Sequence, residues 1–316
     1  MSESWQPVFA TYAERWRKAN LRQTAPAAPT EALIQQGFEL AEKGAIYTAR
    51  AQLIQALRSI TQSLDAHYGE PTHSKFLLTA LMALKEADDF VAQGARLETE
   101  IDVATTVAAH RTPVLDAQSA QGMPGVIAMQ HYYAFAQDRL AAASGGAPAA
   151  SQALYALGKI YMALADESMS AKRLQGAKAI AFHQASMMVD PTNHAAANEL
   201  GVLLARFGQL KEARSVLQHS VSVRPLTETW HNLSVVHQRL GEVDLSNQSR
   251  LEWQRAEQQA QTSPGLGGSS VNSTVTWVDP QTFAQGNLQP VLPQVAPAIA
   301  PPRQAHRNQF RWPWSS

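Results

Sequence analysis

The chain has 316 residues, 45% of them hydrophobic, a formal net charge of zero and no cysteine. Without cysteine there are no disulfides, thiolate metal sites or cysteine nucleophiles. A neutral balance exerts no global pull on nucleic acid or on an anionic membrane surface, and the length allows two ordinary domains or one elongated repeat array.

Residues 1–22 place Trp5, Phe9, Tyr12 and Trp16 at spacings of three and four, which predicts an amphipathic N-terminal helix. Met1–Pro7 contains no basic segment leading into an apolar one, so no export signal is read and a cytoplasmic location is expected. No apolar run approaches the roughly 18–20 residues that span a bilayer, and membrane insertion is not expected. A Pro/Ala linker, Thr24–Thr30, follows, with Thr30 expected to cap the next helix. Helical periodicity then dominates to about residue 260. Breaks are expected at Gly69-Glu70-Pro71, at Gly94 and at Thr112-Pro113, with loops over 113–125 and 144–150. Leu77, Leu81, Leu84 and Val91 form one apolar stripe, and Leu97, Ile101, Ala104 and Ala108 form another. From residue 263 to 316 there are eight prolines among glycine, glutamine and asparagine, a composition that predicts a disordered tail.

The strongest signal is an internal repeat. Leu200-Gly201, Leu204, Gly208, Ala213, Leu217, Ser220 and Pro225 set the pattern. Thirty-three residues on, Trp230, Leu233, Ser234, His237, Gly241 and Ser246 take the corresponding places. Upstream, Leu154, Leu157, Gly158 and Tyr161 fit the first half; Ala179, His183, Ser186 and Pro191 fit the second after an insertion of nine residues around 166–176. The same register returns over residues 30–63 in Leu33, Gly37, Leu40, Gly44, Ala49, Leu53 and Ala56. Small residues at fixed places let two helices approach closely, large ones fill the remaining space, and a turn glycine accepts a backbone that other residues resist.

These residues resemble the tetratricopeptide repeat (TPR) family, most clearly over 151–260 and 30–63, with Ala197 and Leu204 replacing two aromatics of its pattern. The resemblance implies an all-α fold: a right-handed α-solenoid of antiparallel helix pairs with a concave inner surface. The expected organisation is an N-terminal amphipathic helix (1–22) and a helical region (30–143) that opens with one TPR-like hairpin. TPR-like repeats with a terminal capping helix (151–262) and the Pro/Gln-rich tail (263–316) complete it.

By resemblance, a scaffold or adaptor is expected to bind a protein or peptide partner on the concave face. The groove positions of the first helices fall on Tyr155 and Lys159, on Asn198, Glu199 and Arg206, and on His231, Asn232 and Arg239. Asparagines in such a groove can bond the backbone of an extended peptide, and Arg206 and Arg239 recur 33 residues apart, placed to hold an acidic group. The basic and asparagine pattern of chaperone-binding members is not matched as a set.

No enzyme activity, metal or cofactor is expected. His231 and His237 lie six apart, on different faces of one helix. Asp88-Asp89 and the alternating Glu98, Glu100 and Asp102 read as solvated faces, and Tyr132 and Phe135 as core. Residues 151–260 hold 11 basic and 10 acidic residues, a balance that argues against nucleic acid. The alternative is an enzyme or enzyme subunit with an unrecognised site in the less TPR-like helices of 73–143. The aromatic end Phe310-Arg-Trp-Pro-Trp314 is a candidate docking motif.

Overall fold

The computed structural model describes residues 28–91, 101–165 and 169–262, and over most of them the apolar spacing of three and four residues is realised as helix. Among these residues there are eleven α-helices, one 3-10 helix and no strand. The helices are α1 (Ala28–Glu42), α2 (Ile46–Tyr68), α3 (Thr72–Glu86), α4 (Val103–Ala109), α5 (Gly125–Ser144) and α6 (Pro148–Ala165). They continue as α7 (Met169–Val189), α8 (His194–Arg206), α9 (Leu210–Val223), α10 (Thr227–Arg239) and α11 (Val243–Thr262), while Ala87–Phe90 forms the 3-10 turn. None of the described helices is long and apolar enough to cross a membrane. The N-terminal stripe of Trp5 to Trp16, the aromatic end of the tail, and Gly94, Leu97, Glu98 and Glu100 lie outside the described residues.

Turns fall where the repeat places its second glycine. Gly208 and Gly241 take φ of +81° and +76°, a left-handed backbone that a side chain would strain. Beyond them, Gln209 N bonds to Leu204 O and Glu242 N to His237 O, so orphan carbonyls at the ends of α8 and α10 are satisfied. Three local expectations change. Thr30 lies within α1 rather than before it, 3.3 Å from Ser59 Oγ of α2. The expected loop at 144–150 contracts to residues 145–147, because Pro148 opens α6, where its missing N–H leaves nothing unsatisfied. In the Leu97–Ala108 stripe the described helix begins only at Val103, capped by Asp102, whose carboxylate accepts from Ala104 N and Thr105 N.

Successive helices pair antiparallel. In α1/α2, Thr30 meets Ser59 and Gln36 meets Gln52. In α6/α7, Ser151 meets Ser186 while Tyr161 stacks on Phe182 further along. In α8/α9, Ser220 Oγ donates to His194 O and Leu217 faces Gly201; in α10/α11, His231 packs on Trp253 and Ser234 O accepts from Ser246 Oγ. The closest approaches occur at helical glycines. A Cβ on Gly37 would stand 2.7 Å from Leu53 Cδ2, one on Gly158 2.5 Å from His183 Cε1, and one on Gly201 2.5 Å from Leu217 Cγ. Any larger residue would wedge each pair apart. The glycine and its partner are 16 residues apart in the first and third of these pairs and 25 in the second. The nine additional residues lengthen the helices, two after Gly158 in α6 and seven before His183 in α7, since three residues separate the helices in this pair as in α8/α9.

Packing between pairs is not strictly sequential. α3 pairs antiparallel with α5, where His73 Nδ1 lies 3.1 Å from Ala143 O and Arg139 covers Phe76. Yet α6 packs directly against α1 and α2, so α3–α5 are displaced to one side, onto α2 and α7. From α6 onward the contacts run α7 on α8, α8 on α10, and α9 on α10. One connected core, with Leu53, Leu57, Tyr132, Leu140, Leu154, Leu157, Phe182, Leu200 and Leu217 fully enclosed, threads through these pairs.

Candidate binding face

The sequence-predicted groove residues sit on α6, α8 and α10, and the structure brings most of them together as rungs between neighbouring first helices. Lys159 Nζ lies 2.8 Å from Glu199 Oε1, both nearly fully buried. Asn232 Nδ2 donates to Asn198 Oδ1 at 3.0 Å, again with both residues buried. Arg239 Nη1 donates to Ala205 O at 3.0 Å. Each rung links one first helix to the next: Lys159 with Glu199 and Asn232 with Asn198 pair side chain to side chain, while Arg239 bonds backbone. A buried ion pair is held by geometry rather than by a large net energy, but removing one member strands the other.

Tyr155 is buried beside this ladder. Burial, with the Glu199 charge adding to it, keeps its phenol protonated far above the ordinary range. It lies 5.7 Å, ring to ring, from His183 of α7. His183 is wholly enclosed, and neither ring nitrogen has a partner among the described residues. Burial pushes its imidazole down to about 3, and the Lys159 charge pushes the same way. It is a neutral space-filler occupying the place of Leu53 and Leu217 in the other pairs.

Arg206 and Arg239 are the exposed members of the predicted set. Arg239 reaches the backbone next to Arg206, bonding the carbonyl of the residue that precedes it. His231 is half-buried, edge-on to Trp253 at 4.7 Å. Burial lowers its pKa, with Arg250 reinforcing and Glu257 opposing. His237 is buried with Nδ1 2.6 Å from Glu242 Oε2, and Arg214 of α9 also pairs with Glu242, so the α10–α11 turn is tied to α9. The hydrogen bond from His237 is the main reason the Glu242 carboxyl sits below its ordinary range.

The sequence reading missed a second polar cluster around the 3-10 turn. Asp88 and Asp89 are not simply a solvated face: Asp88 Oδ2 lies 2.6 Å from Lys178 Nζ of α7, and Asp89 Oδ2 lies 3.3 Å from His110 Nε2. His110 Nδ1 is 2.6 Å from the Tyr132 hydroxyl, and Glu86 accepts from Arg111 N, Thr112 N and Thr112 Oγ1. Tyr132 is fully enclosed, and burial, with the Glu86 charge adding to it, pushes its phenol up to about 12. The cluster pins the 110–113 loop onto α3 and α5. The adjacent acids at 88–89 were the only trace of it in the sequence, because its partners lie 21 to 90 residues away. Phe135, expected in the core, is only partly buried. Among the described residues no three of His, Asp and Glu converge as metal ligands would.

No protein-family model matches the chain, and no curated protein matches it.

Proposed function

We propose that the chain is an interaction scaffold, a TPR-like α-solenoid whose concave face binds a segment of a partner protein. The observation that carries this reading is the recurrence of one contact. Gly37, Gly158 and Gly201 occupy the same place in three helix pairs, and each is met at under 3 Å, as a Cβ would see it, by the second helix. An ordinary bundle has no reason to repeat its tightest approach at one register, whereas a stack of like units does. The Lys159–Glu199 and Asn198–Asn232 rungs, joining first helix to first helix, support the same stacking. On this reading α3–α5 are an insertion carried on the second-helix side.

The partner-facing part of the predicted set is then narrower than the sequence suggested. Tyr155, Lys159, Asn198, Glu199 and Asn232 hold the stack together, and Arg206 and Arg239 meet the partner, with His231 beside them. Two adjacent guanidinium groups suit a carboxylate or an acidic side chain. The test is crosslinking in native cells with Arg206→Glu and Arg239→Glu combined. Loss of one or more partners is expected; an unchanged set of crosslinked proteins would reject this face.

A further inference from the structure

The inserted helices carry a surface of different chemistry, independent of the face proposed above. A groove of about 400 Å³ lies between α3 and α5 and is bounded by the Arg111–Pro113 loop. Its floor is apolar, with Phe76 and Met82 from α3 and Phe135 from α5. Leu78 stands at its edge with 62% of its surface exposed, a prominent apolar side chain that the fold leaves in water. The charged side chains lining it are both cationic. Arg139 lies over the rings of Phe76 and Phe135, 5.1 and 4.9 Å from their centroids, and Arg111 is exposed on the loop.

Among the described residues neither arginine is ion-paired. Glu86, bonded to the same loop, is engaged by the backbone of Arg111 and Thr112 and by the Thr112 hydroxyl. Asp138 interacts electrostatically with Arg139 but makes no ion pair with it. A guanidinium held over aromatic rings by cation–π attraction can still donate to a carboxylate at little further cost in side-chain freedom.

We propose that this groove takes a short acidic segment of a partner protein, with an apolar side chain against Leu78 and Met82 and flanking carboxylates on Arg111 and Arg139. Charge selects this occupant over the chain's own tail: residues 263–316 contain a single acid, Asp279, and carry Arg303, Arg307 and Arg311. A second copy is disfavoured because the densest acidic run near the surface, Glu86 to Asp89, is committed to Lys178, His110 and the 110–113 loop.

The experiment is fluorescence anisotropy on the full chain. The probe is a labelled, end-capped seven-residue peptide with one tryptophan flanked by glutamates, compared with the same peptide carrying glutamines. The acidic probe is expected to bind at least about tenfold more tightly, with the difference shrinking as salt rises. Leu78→Asp and Arg111→Glu, both at exposed side chains, should each weaken it about tenfold, with unchanged circular dichroism and urea midpoint as the check on folding. Arg206→Glu should leave it unchanged, which separates this groove from the concave face. Equal affinity for the two peptides, or binding unaffected by both groove variants, would overturn the proposal. So would displacement of the probe by a peptide of residues 303–316, which would give the groove to the tail. Self-association abolished by Leu78→Asp in sedimentation would give it to a second copy.

Discussion

The α6/α7 and α8/α9 pairs are built on one plan and filled with different chemistry. Each has a glycine midway along its first helix and a fully buried side chain pressed against it, Leu217 on Gly201 and His183 on Gly158. Leucine is what an apolar slot asks for. The histidine fills the slot by shape alone, with both nitrogens unpartnered among the described residues, and it stands nine residues further from its glycine because the helices of its pair are longer. The difference separates two demands that a repeat motif merges. The absent side chain on the first helix is a steric requirement; the identity of its partner is only a volume requirement.

The rungs extend the comparison. Lys159–Glu199 joins α6 to α8 by charge, and Asn198–Asn232 joins α8 to α10 by a neutral hydrogen bond. Lys159→Ala should be the more damaging change, because it leaves the Glu199 carboxylate buried and uncompensated, at about 3–5 kcal/mol by urea denaturation. Asn232→Ala should cost only about 1–2 kcal/mol. Replacing both charged partners, Lys159→Met with Glu199→Leu, should restore most of the loss; a double variant as unstable as Lys159→Ala would mean that the rung is not the source of the effect.

The steric half of the comparison is tested at Gly201. Gly201→Val places carbon 2.5 Å from Leu217 Cγ in a slot with no free space, and a loss of about 3 kcal/mol is expected despite valine's better helix propensity. Combining it with Leu217→Ala, which opens the slot, should recover part of that loss. If the two losses simply add, the contact does not set the spacing of the pair.

The helix pairs were legible because their signals are local. Glycines, small residues and prolines at fixed offsets within about 34 residues declare a helix pair without any knowledge of its neighbours. The antiparallel pairs α1/α2, α8/α9 and α10/α11 follow directly from Leu33–Ala56 and from Leu200–Ser246. The path of α3–α5 was not legible, because nothing in residues 72–144 says that α6 will pass over them to reach α1 and α2. The candidate face was half legible. Repeat position put Arg206 and Arg239 at the same place on neighbouring helices, both exposed, but the same rule cannot tell a side chain that faces an open wall from one that meets the next helix. Tyr155, Lys159 and Glu199 are therefore buried. The Glu86–His110–Tyr132 cluster and the Arg111/Arg139 groove join residues that no short window contains.

The smallest effect at neutral pH gives the sharpest readout of the two pairs' difference. His183→Leu copies the leucine of α8/α9 into α6/α7 and removes two unpartnered buried nitrogens, so it should stabilise the protein by about 1–2 kcal/mol at pH 7. The pH dependence then identifies the cause. In the folded chain His183 takes a proton only near about 3, whereas in the unfolded chain it does so near its ordinary 6.5. The unfolded state therefore binds the proton first, and stability falls as pH drops from about 6.5 towards about 3. Between pH 7 and pH 5 this one group withdraws about 2 kcal/mol, so the advantage of His183→Leu should widen to about 3–4 kcal/mol at pH 5. His194 and His231, also lowered chiefly by burial, keep some acid sensitivity in the variant. Stability profiles of the two proteins that run parallel from pH 7 to pH 5 would show that the His183 imidazole is not held neutral, and that the α6/α7 slot is not the dry copy of the Leu217 slot that its geometry describes.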